Sequence, residues 1–221
     1  MPRSKREKEV SFTKVKKKTR VTKTGLVDEL RKCVESYATL YLFSVENMRS
    51  DLFIEARQHF KANSRFFFGK NNVMAVALGK TRENECQKNL HKIANALKGQ
   101  CGLMFTNVPH EEVVKYFEEF RHTDYARGGL MATETVELEE GLLPQFAFSM
   151  EPQLRKLGLP TKLDKGQVAL YKNFLVCTEG EQLNNEQAKI LKVLGYKMSE
   201  FHIVLHKKWQ RSTGKIEELD H

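Results

Sequence analysis

Four groups of residues in this 221-residue sequence could do chemistry: four cysteines, a His202/His206 pair, a glutamate run, and the triplet Gly69-Lys70-Asn71. Cys33, Cys86, Cys101 and Cys177 are far apart, and none stands in a C-x-x-C or Cys/His pattern at metal spacing, so they read as reduced thiols of a cytosolic or nuclear protein. His202 and His206 can share one side of a strand, but no third ligand accompanies them, which favours a surface or core role over metal binding. Glu134, Glu137, Glu139 and Glu140 form a solvated acidic run rather than a recognisable acid/base pair. A phosphate loop would need a glycine five residues before Gly69, where Ser64 stands, and a hydroxyl after Lys70, where Asn71 stands. No G-x-S-x-G phrase appears. The expectation is a protein that is not an enzyme and uses no cofactor or metal.

The Gly69-Lys70-Asn71 triplet does suit anion binding without catalysis. It is expected at the end of a strand and the start of a helix, where free backbone N–H groups face an anion. Gly69 would let a phosphate backbone come close, Lys70 supplies charge, and Asn71 can bond phosphate or another polar group. Arg49, Arg57, Lys61 and Arg65 precede the turn, and Lys80 and Arg82 follow it. Arg57 and Lys61, four apart, are expected to share a helix face. Together these side chains are expected to make one basic face.

The charge distribution points the same way. Net charge is +9 and the pI about 9.3. Up to Gly25 stand Arg3, Lys5, Arg6, Lys8, Lys14, Lys16, Lys17, Lys18, Arg20 and Lys23, opposed only by Glu7 and Glu9. Nearly all the excess therefore lies in an arm over 1–24, expected to be disordered until it meets a polyanion, and equally suited to nuclear import. The start MPRSKREKEV has no apolar segment of a secretory signal, and its glutamates argue against a transit peptide. No apolar run approaches the roughly 18 residues of a membrane span, and no acylation signal accompanies the arm, so no membrane partner is expected.

These groups need a scaffold, and 40% hydrophobic residues with 14 Phe supply one. Thr24 is expected to cap a helix running to about Ser36. Strands are expected over 37–45, 64–68 and 102–106, with helices from Ser50, from Asn71 or Asn72, over 84–98, and from Pro109. That alternation predicts an α/β layered domain with helices covering a sheet. Beyond Arg121 the texture changes. A strand over 133–138, a short helix after Ser149, a hairpin around Asp164-Lys165-Gly166 and a strand over 174–177 are expected to form a β-rich insertion. Asn185 is expected to cap a further helix ended by Gly195, and 201–205 to return to the first sheet as a last strand. The expected organisation is a basic arm over 1–24, an α/β domain over 25–121 and 181–207, an insertion over 122–180, and a polar, frayed tail over 208–221.

Several phrases resemble a known family. FFFGKNNVMAVALG (66–79), CGLMFTNVP (101–109), ARGGLMATETVEL (126–138), GLPTKLDKGQVAL (158–170) and FLVCTEGEQLNNEQAKILKVLGY (174–196) resemble, in order and spacing, segments of the ribosomal stalk-base protein P-zero, of the large-subunit protein uL10 family. The resemblance covers about Gly25 to His206. The start MPRSKR and the phrases LVCTEGEQL and KNLHKIANALKGQCGLMFT are closest to a nucleolar paralogue within it. The resemblance implies an α/β rRNA-binding domain interrupted by a small insertion domain. It also implies a ribosome assembly factor of nucleolus and nucleus, able to shuttle to the cytoplasm, that holds the stalk-base rRNA site later taken by P-zero. Partners implied are large-subunit rRNA and pre-ribosomal proteins, with the neighbouring protein uL11 among them. P-zero continues into helices that recruit acidic stalk proteins; this sequence shows neither those helices nor the acidic tail, so acidic stalk proteins are not expected as partners. Asn72 stands where P-zero commonly has a hydroxyl residue. The alternative is a mature structural stalk-base protein.

Overall fold

The computed structural model describes residues 20–219. Its elements run α1 (Arg20–Ser36), β1 (Thr39–Glu46), α2 (Ser50–His59), β2 (Ser64–Phe67), α3 (Asn71–Leu78), α4 (Leu90–Ala96), β3 (Cys101–Thr106), α5 (His110–Glu119), β4 (His122–Asp124), β5 (Val136–Leu138), β6 (Gly141–Leu142), α6 (Glu151–Lys156), β7 (Thr161–Asp164), β8 (Gln167–Leu170), β9 (Phe174–Cys177), α7 (Asn185–Leu194), β10 (Ser199–Gln210) and β11 (Ile216–Glu218). The fold is the mixed helix-and-sheet type expected. It divides into two compact units, one formed by 20–44, 59–108 and 205–219, the other by 45–58 and 109–204.

The first unit is built on a sheet in the order β11-β10-β1-β3-β2. β1 and β2 both pair antiparallel with β3, Leu42 opposite Leu103 and Phe67 opposite the same residue. All six residues of β3 are buried, as a central strand requires. Because side chains alternate across a sheet, Leu40, Leu42, Phe67, Leu103 and Phe105 join one core with Leu30 and Val34 of α1, Met74 and Leu78 of α3, and Ile93 of α4. Ser64 Oγ donates to Thr106 Oγ1 at 2.6 Å, which satisfies the two buried hydroxyls at the end of this ladder.

The second unit has its own core. Val136, Leu154, Val168, Leu170, Val176 and Leu191 meet there, drawn from β5, α6, β8, β9 and α7. The expected hairpin forms: β7 and β8 pair Asp164 with Gln167, and Lys165 (φ 47°) and Gly166 (φ 83°) make the two left-handed residues of a tight turn. Elsewhere in the unit β4 pairs with the first residues of β10, and Phe120 meets Phe201 edge-on at 6.0 Å.

Several expectations change. The chain is already helical at Arg20, the first described residue, so Thr24 lies inside α1 and donates its hydroxyl to Arg20 O instead of capping. Residues 20–24 of the arm expected over 1–24 are therefore helical, and residues 1–19 lie outside the described residues. No helix covers 84–89. Asn89 is left-handed (φ 69°), Cys86 N donates to Leu78 O, and Glu85 accepts from the His91 backbone, so this stretch spends its polar groups on a loop and α4 starts only at Leu90. Asn184, not Asn185, caps α7, in a reciprocal pair with Gln187. α7 had been expected with the α/β domain, but its Ile190 and Leu191 complete the core of the second unit. The tail over 208–221, expected to fray, instead carries β10 to Gln210 and turns back as β11, with Trp209 buried to 1%.

Gly79 shows how tightly the loop after α3 is seated. It caps the helix at φ 96°, ψ 122°, and a Cβ there would stand 2.3 Å from Asn84 O. Neither the backbone angle nor the space suits another residue. Gly79→Ala is expected to destabilise the fold by about 2–3 kcal/mol, read as a lower urea midpoint; an unchanged midpoint would mean that the loop is not packed in this way.

Candidate nucleic-acid interface

The Gly69-Lys70-Asn71 triplet stands at the junction of β2 and α3, where the local sequence puts it. β2 stops at Phe67, two residues before Gly69, and an apolar stripe of Met74, Ala75, Ala77 and Leu78 pulls the following turn onto the core. Lys70 is the N-cap at φ −68°, ψ 123°, with no side-chain cap, and its carbonyl accepts from Val73 N at 2.9 Å and Met74 N at 3.2 Å. The helix start is therefore left for outside acceptors, beside the exposed Lys70 ammonium. Outward on α3 lie Asn72 and Val76, one turn apart.

Two of the three residues have duties other than those expected. A Cβ on Gly69 would stand 3.4 Å from Leu26 Cδ2 of α1 and 3.9 Å from Met74 Cγ, so the missing side chain faces the protein interior rather than opening a path for RNA. Asn71 Nδ2 donates to Gly99 O at 2.8 Å. That bond ties the loop before β3 to the start of α3 and leaves Asn71 Oδ1 for other partners. It also draws in Lys98, exposed in the same loop, whose carbonyl accepts from Cys101 Sγ at 2.6 Å. Lys98 was missed from sequence because the link that recruits it joins residues 28 apart. The signal open to reading was its place in a Lys98-Gly99-Gln100 turn before a strand.

The remaining cations divide. Lys80 and Arg82 are exposed in the loop after α3. Arg65, on β2, pairs with Glu29 of α1 at 3.3 Å with both side chains more than half exposed, and its guanidinium lies 5.6 Å over the Phe67 ring. An exposed pair of this kind holds about 0–1 kcal/mol, so Arg65 can leave it for a phosphate. The same arginine lines an open groove of about 580 Å³ with Lys32, Ser36, Tyr37, Asn63 and Asn107. Lys61 is exposed but lies past the end of α2 at His59, so it shares no helix face with Arg57. Arg57 and Arg49 belong to the second unit. Arg57 is exposed. Arg49 is not open in the same sense: its Nε meets Asp124 Oδ2 at 2.5 Å and its guanidinium donates to Tyr125 O, so its charge secures β4 and is withdrawn from the expected basic face. Of the arm, Arg20 and Lys23 are described, both exposed on α1. Arg3, Lys5, Arg6, Lys14, Lys16, Lys17 and Lys18 lie outside the described residues.

The chemistry of the remaining candidates is quiet. Burial pushes the Cys33 thiol above its ordinary value, and burial does the same to Cys177, so both favour the protonated, unreactive form. His206 Nε2 lies 2.8 Å from Ser44 Oγ, while burial and the nearby Arg121 charge lower the pKa of His202. A hydrogen bond from His91, at 2.6 Å, holds the Glu85 carboxyl below the usual range in the loop after α3. Among the described residues no group of three His, Cys, Asp or Glu is placed to hold a metal ion. In the second unit, 128–150 and 173–188 expose seven glutamates and hold no Lys or Arg, while the exposed Arg127, Lys172 and Lys189 border them.

An antiparallel α/β unit with a basic strand-to-helix turn, interrupted by a unit with a separate core, defines a ribosomal L10-type protein. Residues 18–122 match the family described as Ribosomal protein L10, and residues 126–195 match the insertion domain of its 60S ribosomal members. The chain is 38% identical over 209 residues to ribosome assembly factor mrt4 of Dictyostelium discoideum, covering 95% of this chain and 93% of that protein. It is 32% identical over 233 residues to ribosome assembly factor MRT4 of Saccharomyces cerevisiae, covering 100% and 98%. Similarity to large ribosomal subunit protein uL10 of Thermococcus sibiricus is lower, 25% over 169 residues, spanning 76% of this chain and 50% of that one. The chain belongs to the mrt4 family of ribosome assembly factors, a paralogous branch of the uL10 proteins.

Proposed function

We propose that this protein is a non-catalytic assembly factor of the large ribosomal subunit. It binds the stalk-base region of the rRNA in nucleolar and nuclear precursor particles and occupies the site later taken by P-zero. The observation that carries this reading is the uncapped start of α3 with Lys70 exposed upon it, in a unit that also exposes Arg65, Lys80, Arg82 and Lys98. Folded RNA is bound through phosphate neutralisation and through its shape. The cations supply the first, and a helix start held in place by the Asn71–Gly99 bond supplies a rigid template for the second.

The mechanism is exclusion. Two paralogues that present one RNA-binding surface cannot hold one site together, so the assembly factor defers P-zero until it leaves. Neighbouring pre-ribosomal proteins, uL11 among them, are the expected protein partners, and movement between nucleus and cytoplasm follows from travel with the particle. The alternative, a mature stalk-base protein, differs in timing. Fractionation separates the two: an assembly factor is found in nucleolar precursors and is scarce on translating ribosomes, and abundance on translating ribosomes would overturn the proposal.

Two substitutions test the turn itself. Lys70→Ala is expected to reduce the salt dependence of rRNA binding by about 0.9 in log–log slope, the contribution of one phosphate contact. Asn71→Ala is expected to weaken binding of a folded stalk-base fragment more than of random RNA with the slope unchanged, because it loosens a loop and removes no charge. Equal losses on both RNAs from Asn71→Ala would reject shape-specific recognition by this turn.

A further inference from the structure

The open groove of about 580 Å³ lies wholly in the first unit, between the second half of α1, the start of β2 and the end of β3. Side-chain alternation decides what faces it. Asn63, Arg65 and Phe67 project to one side of β2, and Phe67 packs there with Phe105 of β3 and with α1. The last pair of this ladder is Ser64 with Thr106, so Asn63 and Asn107 stand just beyond it on the face that carries α1. Asn107 N donates to Asn63 O at 3.1 Å, which holds the two asparagines side by side. Asn107 Oδ1 accepts from Ala38 N at 2.8 Å, so its Nδ2 is the end left for a ligand. The exposed Asn63 amide has no partner among the described residues and keeps both its donor and its acceptor. The half-buried Tyr37 ring, inclined at 45° to Phe105 with centroids 6.3 Å apart, forms a wall. Two cations line the same space. Lys32 is exposed and has no ion pair among the described residues, and Arg65 has only its exposed pair with Glu29.

We propose that this groove receives one unpaired nucleotide of the bound RNA, with its phosphate on Arg65 and Lys32 and its base against Tyr37, edge-on to the Asn63 and Asn107 amides. The inference rests on the reading of the protein as an RNA binder and adds what that surface selects. The volume falls in the range of about 300–1,000 Å³ typical of small-ligand sites, more than a bare phosphate needs. Splayed-out bases of folded RNA are held in this way, by a ring against one face and by hydrogen bonds along an edge, whereas a paired base has its edge engaged. Glu29, the one acid among the lining residues, competes with the phosphate for Arg65. That competition is weak for an exposed pair, and it gives the groove a signature: neutralising Glu29 strengthens binding. α1 serves the basic turn as well, since a Cβ on Gly69 would stand 3.4 Å from Leu26 Cδ2, three residues before Glu29.

The test measures binding by the full chain of a stalk-base rRNA fragment transcribed in vitro, oligoadenylate, a fully paired RNA duplex and free AMP, with folding of each variant checked by thermal melting. Asn63→Ala removes no charge and leaves the main-chain bonds in place. It is expected to weaken binding of the first two RNAs about 3–10-fold, the size of one hydrogen bond, with the salt slope unchanged and the duplex unaffected. Lys32→Ala is expected to lower the slope on oligoadenylate by about 0.7. Glu29→Gln is expected to strengthen binding of both single-stranded probes by up to about 5-fold, more than Asp28→Asn, which makes the same charge change on α1 outside the groove. Equal gains from Glu29→Gln and Asp28→Asn, or an equal loss on the duplex from Asn63→Ala, overturn the proposal. A nucleoside phosphate could also arrive free: displacement of the fragment by AMP overturns the RNA assignment, and absence of competition supports it. If the wild-type protein does not prefer the fragment over oligoadenylate, the assembly-site reading fails, while an Asn63-dependent loss on oligoadenylate still supports the groove.

Discussion

Removal of residues 1–19 is expected to lower RNA affinity by about 100-fold or more near 50 mM salt and to flatten its salt dependence by roughly 3–4 in log–log slope, if half of the arm's cations meet phosphates. The arm carries Arg3, Lys5, Arg6, Lys8, Lys14, Lys16, Lys17 and Lys18 against Glu7 and Glu9. Each phosphate neutralised releases condensed counterions, so each lost contact removes about 0.7–0.9 from the slope, depending on strandedness. The cut belongs before Arg20, because α1 is described from that residue and a longer deletion would cut into a helix whose Leu30 and Val34 are fully buried. Binding isotherms on the rRNA fragment across a salt series measure the effect. A slope equal to that of the full chain would remove the arm from the interface. A drop in slope with specificity for the fragment retained would assign bulk attraction to the arm and selection to the ordered turn.

Trp209→Ala produces the largest loss of stability, about 4–5 kcal/mol out of the roughly 5–15 kcal/mol that holds a typical domain together. Trp209 is 1% exposed and lies in the core with α1, α3 and α4. Its Nε1 donates to Lys88 O at 3.0 Å, and the neighbouring Asn89 Nδ2 donates to Gly214 O at 2.8 Å. These two bonds hold the start of α4 against the turn between β10 and β11. The alanine variant therefore empties a large cavity and leaves Lys88 O without its donor. Trp209→Phe keeps most of the packing and is expected to lose about 1–2 kcal/mol. Because Trp209 is the sole tryptophan, unfolding in urea is followed by far-ultraviolet circular dichroism. A wild-type midpoint for the alanine variant would show that β10 and β11 are not part of the packed unit.

The elements that could be read from sequence are those whose signals are local. Asn71 after Gly69 marks the start of α3, Lys165-Gly166 marks a turn that only left-handed residues fit, and Gly195 at φ 90° ends α7. The unread ones depend on distant partners. KKWQRSTGKIEEL has one large aromatic and looks like a tail, yet Lys207 and Lys208 face Glu218 and Glu217 across an antiparallel ladder, and both pairs form ion pairs. The stretch 84–89 has helix-forming residues, but Glu85 and Cys86 are taken up by His91, Ala77 and Leu78. The candidate interface divides likewise. Position and charge of the basic turn were legible because Gly, Lys and Asn punctuate a strand-to-helix junction. The engagement of Arg49 by Asp124, the recruitment of Lys98 through Asn71, and the inward-facing space at Gly69 were not, since each joins residues remote in sequence.

The sheet of the first unit also sets a timetable. β10 lies beside β1, although β1 ends at Glu46 and β10 begins at Ser199. A growing chain emerges from its amino end, so β1 waits through synthesis of the whole intervening stretch before its neighbour arrives. Contacts this far apart close slowly. The sheet beneath α3 is thus completed late, only once the residues from Ser199 onward have been made, and until then the helix rests on an unfinished support.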